Sequence, residues 1–217
     1  MKKNLTELVY ILDKSGSMQG LEKDTIGGYN AMLAQQRTVE GDCVITTVLF
    51  DNQYQLLHDR IDIRAVRPLT QREYFVGGST ALLDAIGKTI DKIHTAQKNT
   101  AEDYRAERVL FVIITDGAEN ASRRYSSMQV KEMIRRQKEK YGWEFIFLGA
   151  NIDAVETAGR FGIDADRAVD YVPDGEGTAL NFCMMSQTVE AFRTCGVVPS
   201  ACLDEIRKDM KKRGIRR

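Results

Sequence analysis

The sequence predicts a three-layer α/β/α sandwich around a mostly parallel, Rossmann-like sheet with one antiparallel edge strand. Three observations lead there. Short apolar runs rich in Val, Ile and Phe recur along the chain. They do not alternate with polar residues, which is how strands buried on both faces read. Amphipathic stretches with helical spacing separate them. Strands alternating with helices build right-handed crossovers, with helices on both faces of the sheet.

The strands come in order as "LVYIL" (8–12), "VITTVLF" (44–50), "VLFVIIT" (109–115) and "FIFLG" (145–149), with a weaker run "AVDYV" at 168–172. After residue 50, Asp51-Asn52 reads as a tight hairpin turn. It leads into "QYQLLHDRIDI", whose polar interruptions suit an antiparallel edge strand. There His58, beside Asp59, reads as a surface or pairing residue.

Between the strands, Leu21, Thr25, Ile26, Tyr29, Met32 and Leu33 form one helical stripe. Leu82, Ile86, Ile90 and Ile93 form a second, and Val130, Met133, Ile134, Gln137 and Tyr141 a third. Ser126 or Ser127 is the expected N-cap of the third stripe, and Gly142 its stop. Asp153 with Glu156 suits a short capped helix ahead of Phe161. Leu180, Cys183, Met184, Thr188, Ala191 and Phe192 form the last stripe, where Met184 and Met185 read as core filler.

Composition bounds the rest. With 217 residues, 43% hydrophobic and 29% charged, the chain can bury one sizeable core. No run of eighteen apolar residues occurs, so no membrane helix is expected. The apolar part of the opening "MKKNLTELVYILDKSGSM" is too short for a signal peptide. Cys43, Cys183, Cys195 and Cys202 form no C-x-x-C pair and read as small buried apolar residues with free thiols. The only histidines are His58 and His94, so a transition-metal site has few ligands to draw on. A cytoplasmic protein is expected.

Charge is uneven. Seven of the 31 Lys and Arg residues, and one of the 31 acidic residues, lie between Arg207 and Arg217, so the first 206 residues carry a net −6. The expected organisation is one domain over 1–203 and a basic tail over 204–217. The tail reads as a solvated helix end, or as a contact for nucleic acid or an acidic partner.

In an open parallel sheet, ligands bind outside the carboxyl ends of the strands. The first strand is followed by "DKSGSM", the 109–115 strand by "DGAEN", and the helix at Leu82 is preceded by "VGGSTA". These loops should share one sheet edge. They offer Asp13, Ser15, Ser17, Thr80 and Asp116: two carboxylates, three hydroxyls and no nitrogen or sulfur ligand. That set suits a hard cation, since Mg²⁺ takes six oxygens and usually keeps some as water. Ser15 and Ser17 can equally cap a helix, and Asp116 can simply open a turn. Glu119 and Asn120, just past Asp116, read as loop-shaping residues, with tuning of access to the cation as the alternative.

"DKSGS", "GGSTALLD" and "ITDG" together resemble the metal-ion-dependent adhesion site of the von Willebrand factor type A (VWA) domain, the integrin I-like fold. The likeness runs from about Leu5 to Phe192. It implies a bacterial intracellular VWA protein in which Ser15, Ser17 and Thr80 contact the metal, while Asp13 and Asp116 bind it directly or through water. The implied cofactor is Mg²⁺, with Mn²⁺ or Ca²⁺ as alternatives. The implied function is binding of a protein partner that presents an Asp or Glu, in an assembly or stress-response system, without catalysis. Two other classes compete. A metal-dependent hydrolase or phosphoryl-transfer enzyme would use the same cation. It is disfavoured by the missing G-x-x-x-x-G-K-[ST] and G-x-S-x-G motifs and by Ser15 where an aspartyl phosphatase needs a second Asp. A nucleic-acid-associated factor would act through the tail, which has no aromatic residue for stacking.

Overall fold

The computed structural model describes residues 1–213 of the chain. Residues 214–217, the last part of the expected basic tail, lie outside the described residues. Strand β1 (Lys2–Asp13) is central. It pairs in parallel with β2 (Asp42–Phe50) on one side and β4 (Ala106–Thr115) on the other. Beyond β2, β3 (Tyr54–Asp62) returns antiparallel as an edge strand. Beyond β4 lie β5 (Glu144–Gly149) and β6 (Ala168–Asp170), both parallel. The order is β3-β2-β1-β4-β5-β6.

Side-chain alternation along the strands divides the interior into two cores. Leu8, Tyr10 and Leu12 of β1 join Leu110, Val112 and Ile114 of β4 on one face. Helices α1 (Glu22–Gln36), α5 (Gly175–Cys195) and α6 (Asp204–Lys212) cover that face through Tyr29, Met32, Phe182, Val189 and Ile206. Val9, Ile11, Phe111, Ile113 and Phe147 point the other way, under α2 (Leu82–Asn99), α3 (Ser127–Tyr141) and α4 (Ala154–Arg160). Both faces are dry, which is why the apolar runs show no polar alternation.

The caps behave as the sequence implies. Ser126 and Gln129 form a capping box on α3, and Gly142 ends it in the left-handed conformation that lacks a Cβ penalty. Asp153 accepts the Glu156 amide at 2.8 Å and opens α4.

Three particulars depart from expectation. β1 starts well before residue 8, because its polar Thr6 and Glu7 are buried: Glu7 is held by a salt bridge from Arg60 and a hydrogen bond from Gln97. His58 is buried, since Tyr29 of α1 folds over the edge strand and its hydroxyl, with that of Thr47, meets the imidazole Nδ1. Cys43 and Cys202 are buried as expected, but Cys183 and Cys195 are exposed on α5.

The segment 63–81 follows the edge strand and carries no regular structure, yet Ile63, Val66, Leu69 and Tyr74 are buried in the α1-side core. The Asn30 side chain clamps it, donating to the Leu69 carbonyl at 2.8 Å and accepting the Leu69 amide at 2.7 Å. This ordered return brings Thr80 to the carboxyl edge of the sheet.

Candidate metal centre

β1 and β4 are parallel neighbours, so Asp13 at the end of one and Asp116 just beyond the other emerge at the same edge. All five expected residues meet there. The Ser15 and Ser17 hydroxyl oxygens are 3.0 Å apart, and Thr80 Oγ1 lies 3.1 Å from Ser15 Oγ. Asp116 meets the Ser17 hydroxyl. Asp13, Ser15, Thr80 and Asp116 are buried, whereas Ser17 is exposed at the mouth.

Each group is held by neighbours the motifs do not name. Asp13 Oδ1 accepts the Ser15 amide at 2.7 Å, and Oδ2 accepts the Thr115 hydroxyl at 2.5 Å. Its carbonyl accepts the hydroxyl of Tyr74, a buried residue of segment 63–81. The Thr80 amide donates to Asn120 Oδ1 at 2.9 Å, and the Thr80 carbonyl accepts the Asn120 amide at 3.0 Å. Lys14, between Asp13 and Ser15, is buried and spends its charge on Asp51 at 3.0 Å. Sequence reasoning named Thr115 only as the end of a strand; Tyr74 and the Lys14–Asp51 pair carried no signal, because only folding brings them close.

The electrostatics favour a cation. Burial pushes the Asp13 carboxyl up to about 6, against the hydrogen bonds from Thr115 and Ser15 that favour its charged form. Burial also raises Asp116, against its hydrogen bond from Ser17. Most telling, Asp116 Oδ1 is buried with no hydrogen-bond partner. Buried polar atoms are nearly always satisfied, and an orphan at a site of this kind asks for an explanation. A divalent ion supplies one, since it satisfies the oxygen and offsets both buried charges.

The hydroxyl spacings of 3.0 and 3.1 Å are ordinary hydrogen-bond lengths and also lie close to the about 2.9 Å that separates neighbouring ligands of an octahedral Mg²⁺. Gly117 keeps the space open: a Cβ there would sit 2.9 Å from Ser17 Oγ and 3.2 Å from Thr80 Oγ1. Among the described residues no group of three or more His, Cys, Asp and Glu side chains could hold a metal ion. Nor is any helix among them long and apolar enough to cross a membrane.

No family model matches the chain, and no curated protein matches it. Solved structures do. A von Willebrand factor type A protein from Catenulispora acidiphila superposes with a TM-score of 0.58 at 16% identity, over 86% of this chain and 42% of that one. The ArnB paralog VWA2 from Sulfolobus acidocaldarius gives 0.51 at 18% identity, over 88% and 45%. Proximal thread matrix protein 1 from the mussel byssus, with a zinc-occupied MIDAS motif, gives 0.58 at 12% identity, over 85% and 46%. The chain thus spans less than half the length of each of these three neighbours. The likeness is one of fold.

Proposed function

Proceeding from the von Willebrand factor type A fold, we propose that this chain is a metal-dependent protein-binding module. Asp13, Ser15, Ser17, Thr80 and Asp116 would hold a divalent cation, Mg²⁺ before Mn²⁺ or Ca²⁺. A partner's Asp or Glu would complete its shell. The observation that carries this reading is the buried, partnerless Asp116 Oδ1 beside the clustered hydroxyls. When bound, the ion supplies a positive centre that accepts an external carboxylate. The chain's own residues do the positioning. Thr115 and the Ser15 amide hold the Asp13 carboxylate, Tyr74 pins its backbone, and Asn120 fixes Thr80 from both sides of its peptide.

The arrangement supports recognition over metal-assisted hydrolysis or phosphoryl transfer. Such chemistry calls for a base or nucleophile beside the ion. His58 lies inside the α1-side packing against Tyr29 and Thr47, and His94 lines a cavity at the opposite end of the sheet with Trp143 and Arg105. The basic tail is a poor nucleic-acid contact as far as it is described. Arg207 donates to the Ala165, Asp166 and Ala168 carbonyls and to Asp204, and Arg213 pairs with Asp174, Glu176 and Asp209. We place the module in the cytoplasm, in a bacterial assembly or stress-response system, as its resemblance implies. Four free thiols suit a reducing compartment.

The test compares wild type with Thr80→Ala, in Mg²⁺ and in EDTA. Mg²⁺ at 100 times its dissociation constant should stabilise the wild-type fold by about 2.7 kcal/mol. It should also hold a partner from native lysate. EDTA and Thr80→Ala should each abolish both effects while circular dichroism stays native. A wild type indifferent to Mg²⁺, or a Thr80→Ala variant that responds like wild type, refutes the reading.

A further inference from the structure

Beside the candidate metal centre lies a polar hollow of about 640 Å³, lined by Asn52, Ser79, Asp84, Asn120 and Arg123 among others. Ser79 precedes Thr80 in the chain, and Asn120 is hydrogen-bonded to the Thr80 backbone, so the hollow opens directly against the metal edge. A neighbouring depression carries Arg124, Lys88 and again Asn52.

The loop that presents these arginines is welded in place. Asp84, in the first turn of α2, accepts the backbone amides of Arg123, Arg124 and Tyr125 at 2.9–3.0 Å. Glu119 accepts the amides of Leu83, Ala121 and Ser122 and the Ser122 hydroxyl. Both carboxylates are therefore committed to backbone and hydroxyl donors. The Arg123 and Arg124 side chains are exposed, and among the described residues neither guanidinium makes a salt bridge or a side-chain hydrogen bond. On the other face of the sheet, the first turn of α1 carries Glu22 and Asp24.

We infer that the partner segment carries a second carboxylate, and that Arg123 and Arg124 receive it while the first sits on the metal. The inference rests on the metal-site reading above. A loop whose backbone is held presents two planar donor forks at one side of a carboxylate-binding ion, a match for an acidic peptide. A peptide is the occupant proposed: the hollow itself has no aromatic, and in the neighbouring depression the Tyr54 ring is covered by the Lys88 ammonium at 4.0 Å, where it would otherwise stack with a base.

The test measures binding of synthetic peptides by amide chemical-shift titration. One peptide, acetyl-Gly-Gly-Asp-Gly-Gly-amide, has a single carboxylate. A panel adds a second Asp one to three residues to either side. In Mg²⁺ the single-Asp peptide should bind weakly, and at least one two-Asp peptide should bind about three- to tenfold tighter. The Arg123→Gln/Arg124→Gln double variant should lose that gain and keep the single-Asp affinity. The gain should also shrink with added salt. No two-Asp peptide gaining twofold, or a gain that survives in the double variant, overturns the inference and leaves the metal reading standing. A single-stranded oligonucleotide that binds the same arginines more tightly than every peptide also overturns it. If no peptide responds to Mg²⁺, the metal reading fails and this inference falls with it.

Discussion

Arg193 offers the sharpest test of how the two C-terminal ends of α1 and α5 are joined. The residue is only 5% exposed. It donates to the Gln36 carbonyl, to Gln36 Oε1 at 3.1 Å, and to the Val39 and Gly41 carbonyls at 3.0 Å each. Those carbonyls close the end of α1 and the turn into β2, where helix carbonyls lack partners of their own. Arg193→Met keeps most of the apolar stem and removes the donors. Each acceptor left unsatisfied costs about 1–3 kcal/mol if it stays dry. The carbonyls border a small surface cavity of about 180 Å³, so water can reach some of them. Desolvation of the lost charge offsets a further part. We expect a net loss of about 3 kcal/mol, or roughly 6–12 °C in melting temperature for a chain of this size. Urea unfolding followed by circular dichroism measures it, and Arg193→Lys should fall between, because a single ammonium cannot span all the acceptors. A loss below about 1 kcal/mol for Arg193→Met would mean that water serves these carbonyls as well as the guanidinium, contrary to the argument. Response to Mg²⁺ should be unchanged, since α1 runs from the metal edge to this far end.

Two further expectations concern packing and pH. Gly27 and Gly28 are adjacent in α1, but a Cβ at Gly27 meets nothing within 4 Å, whereas one at Gly28 would overlap the Phe182 side chain of α5. Gly27→Ala should therefore stabilise by about 0.5–1 kcal/mol through helix propensity, and Gly28→Ala should destabilise by about 1–3 kcal/mol through overpacking. Equal signs in thermal melts would refute the packing account. Burial lowers the His58 pKa from its ordinary 6.5, against Glu73. The folded state then binds its proton less readily than the unfolded chain, so its contribution is present above pH 6.5 and lost on acidification. The slope approaches about 1.4 kcal/mol per pH unit at most for one proton. Melts at pH 7.5 and 5.5 should show a smaller acid-side drop in His58→Gln than in wild type. An identical drop would assign the effect to other groups.

The sheet was legible because burial on both faces leaves long Val, Ile and Phe runs that no half-wet strand shows. The first half of β1 was not, because Thr6 and Glu7 look like loop residues until Arg60 and Gln97 arrive from distant elements. His58 misled for the same reason: its place on an edge strand implies exposure, and only Tyr29 of α1 removes it from water. The five oxygens of the candidate site could be named because each sits beside a strand end or a helix start, where topology fixes position. Their supports, Tyr74 above all, come from a segment with no periodicity to read. Exposed Cys183 and Cys195 show the limit of residue-type reasoning, since composition alone places a thiol inside.

The loop that follows Asp116 has a further consequence. Asp84 and Glu119 grip it mainly by main-chain amides, which every residue except proline possesses. The geometry of residues 123 and 124 is thereby uncoupled from their identity. Substitutions there would leave the scaffold intact while rewriting the charge beside the candidate metal centre. Natural variation can then change the charge of this surface at two positions without first having to solve a folding problem.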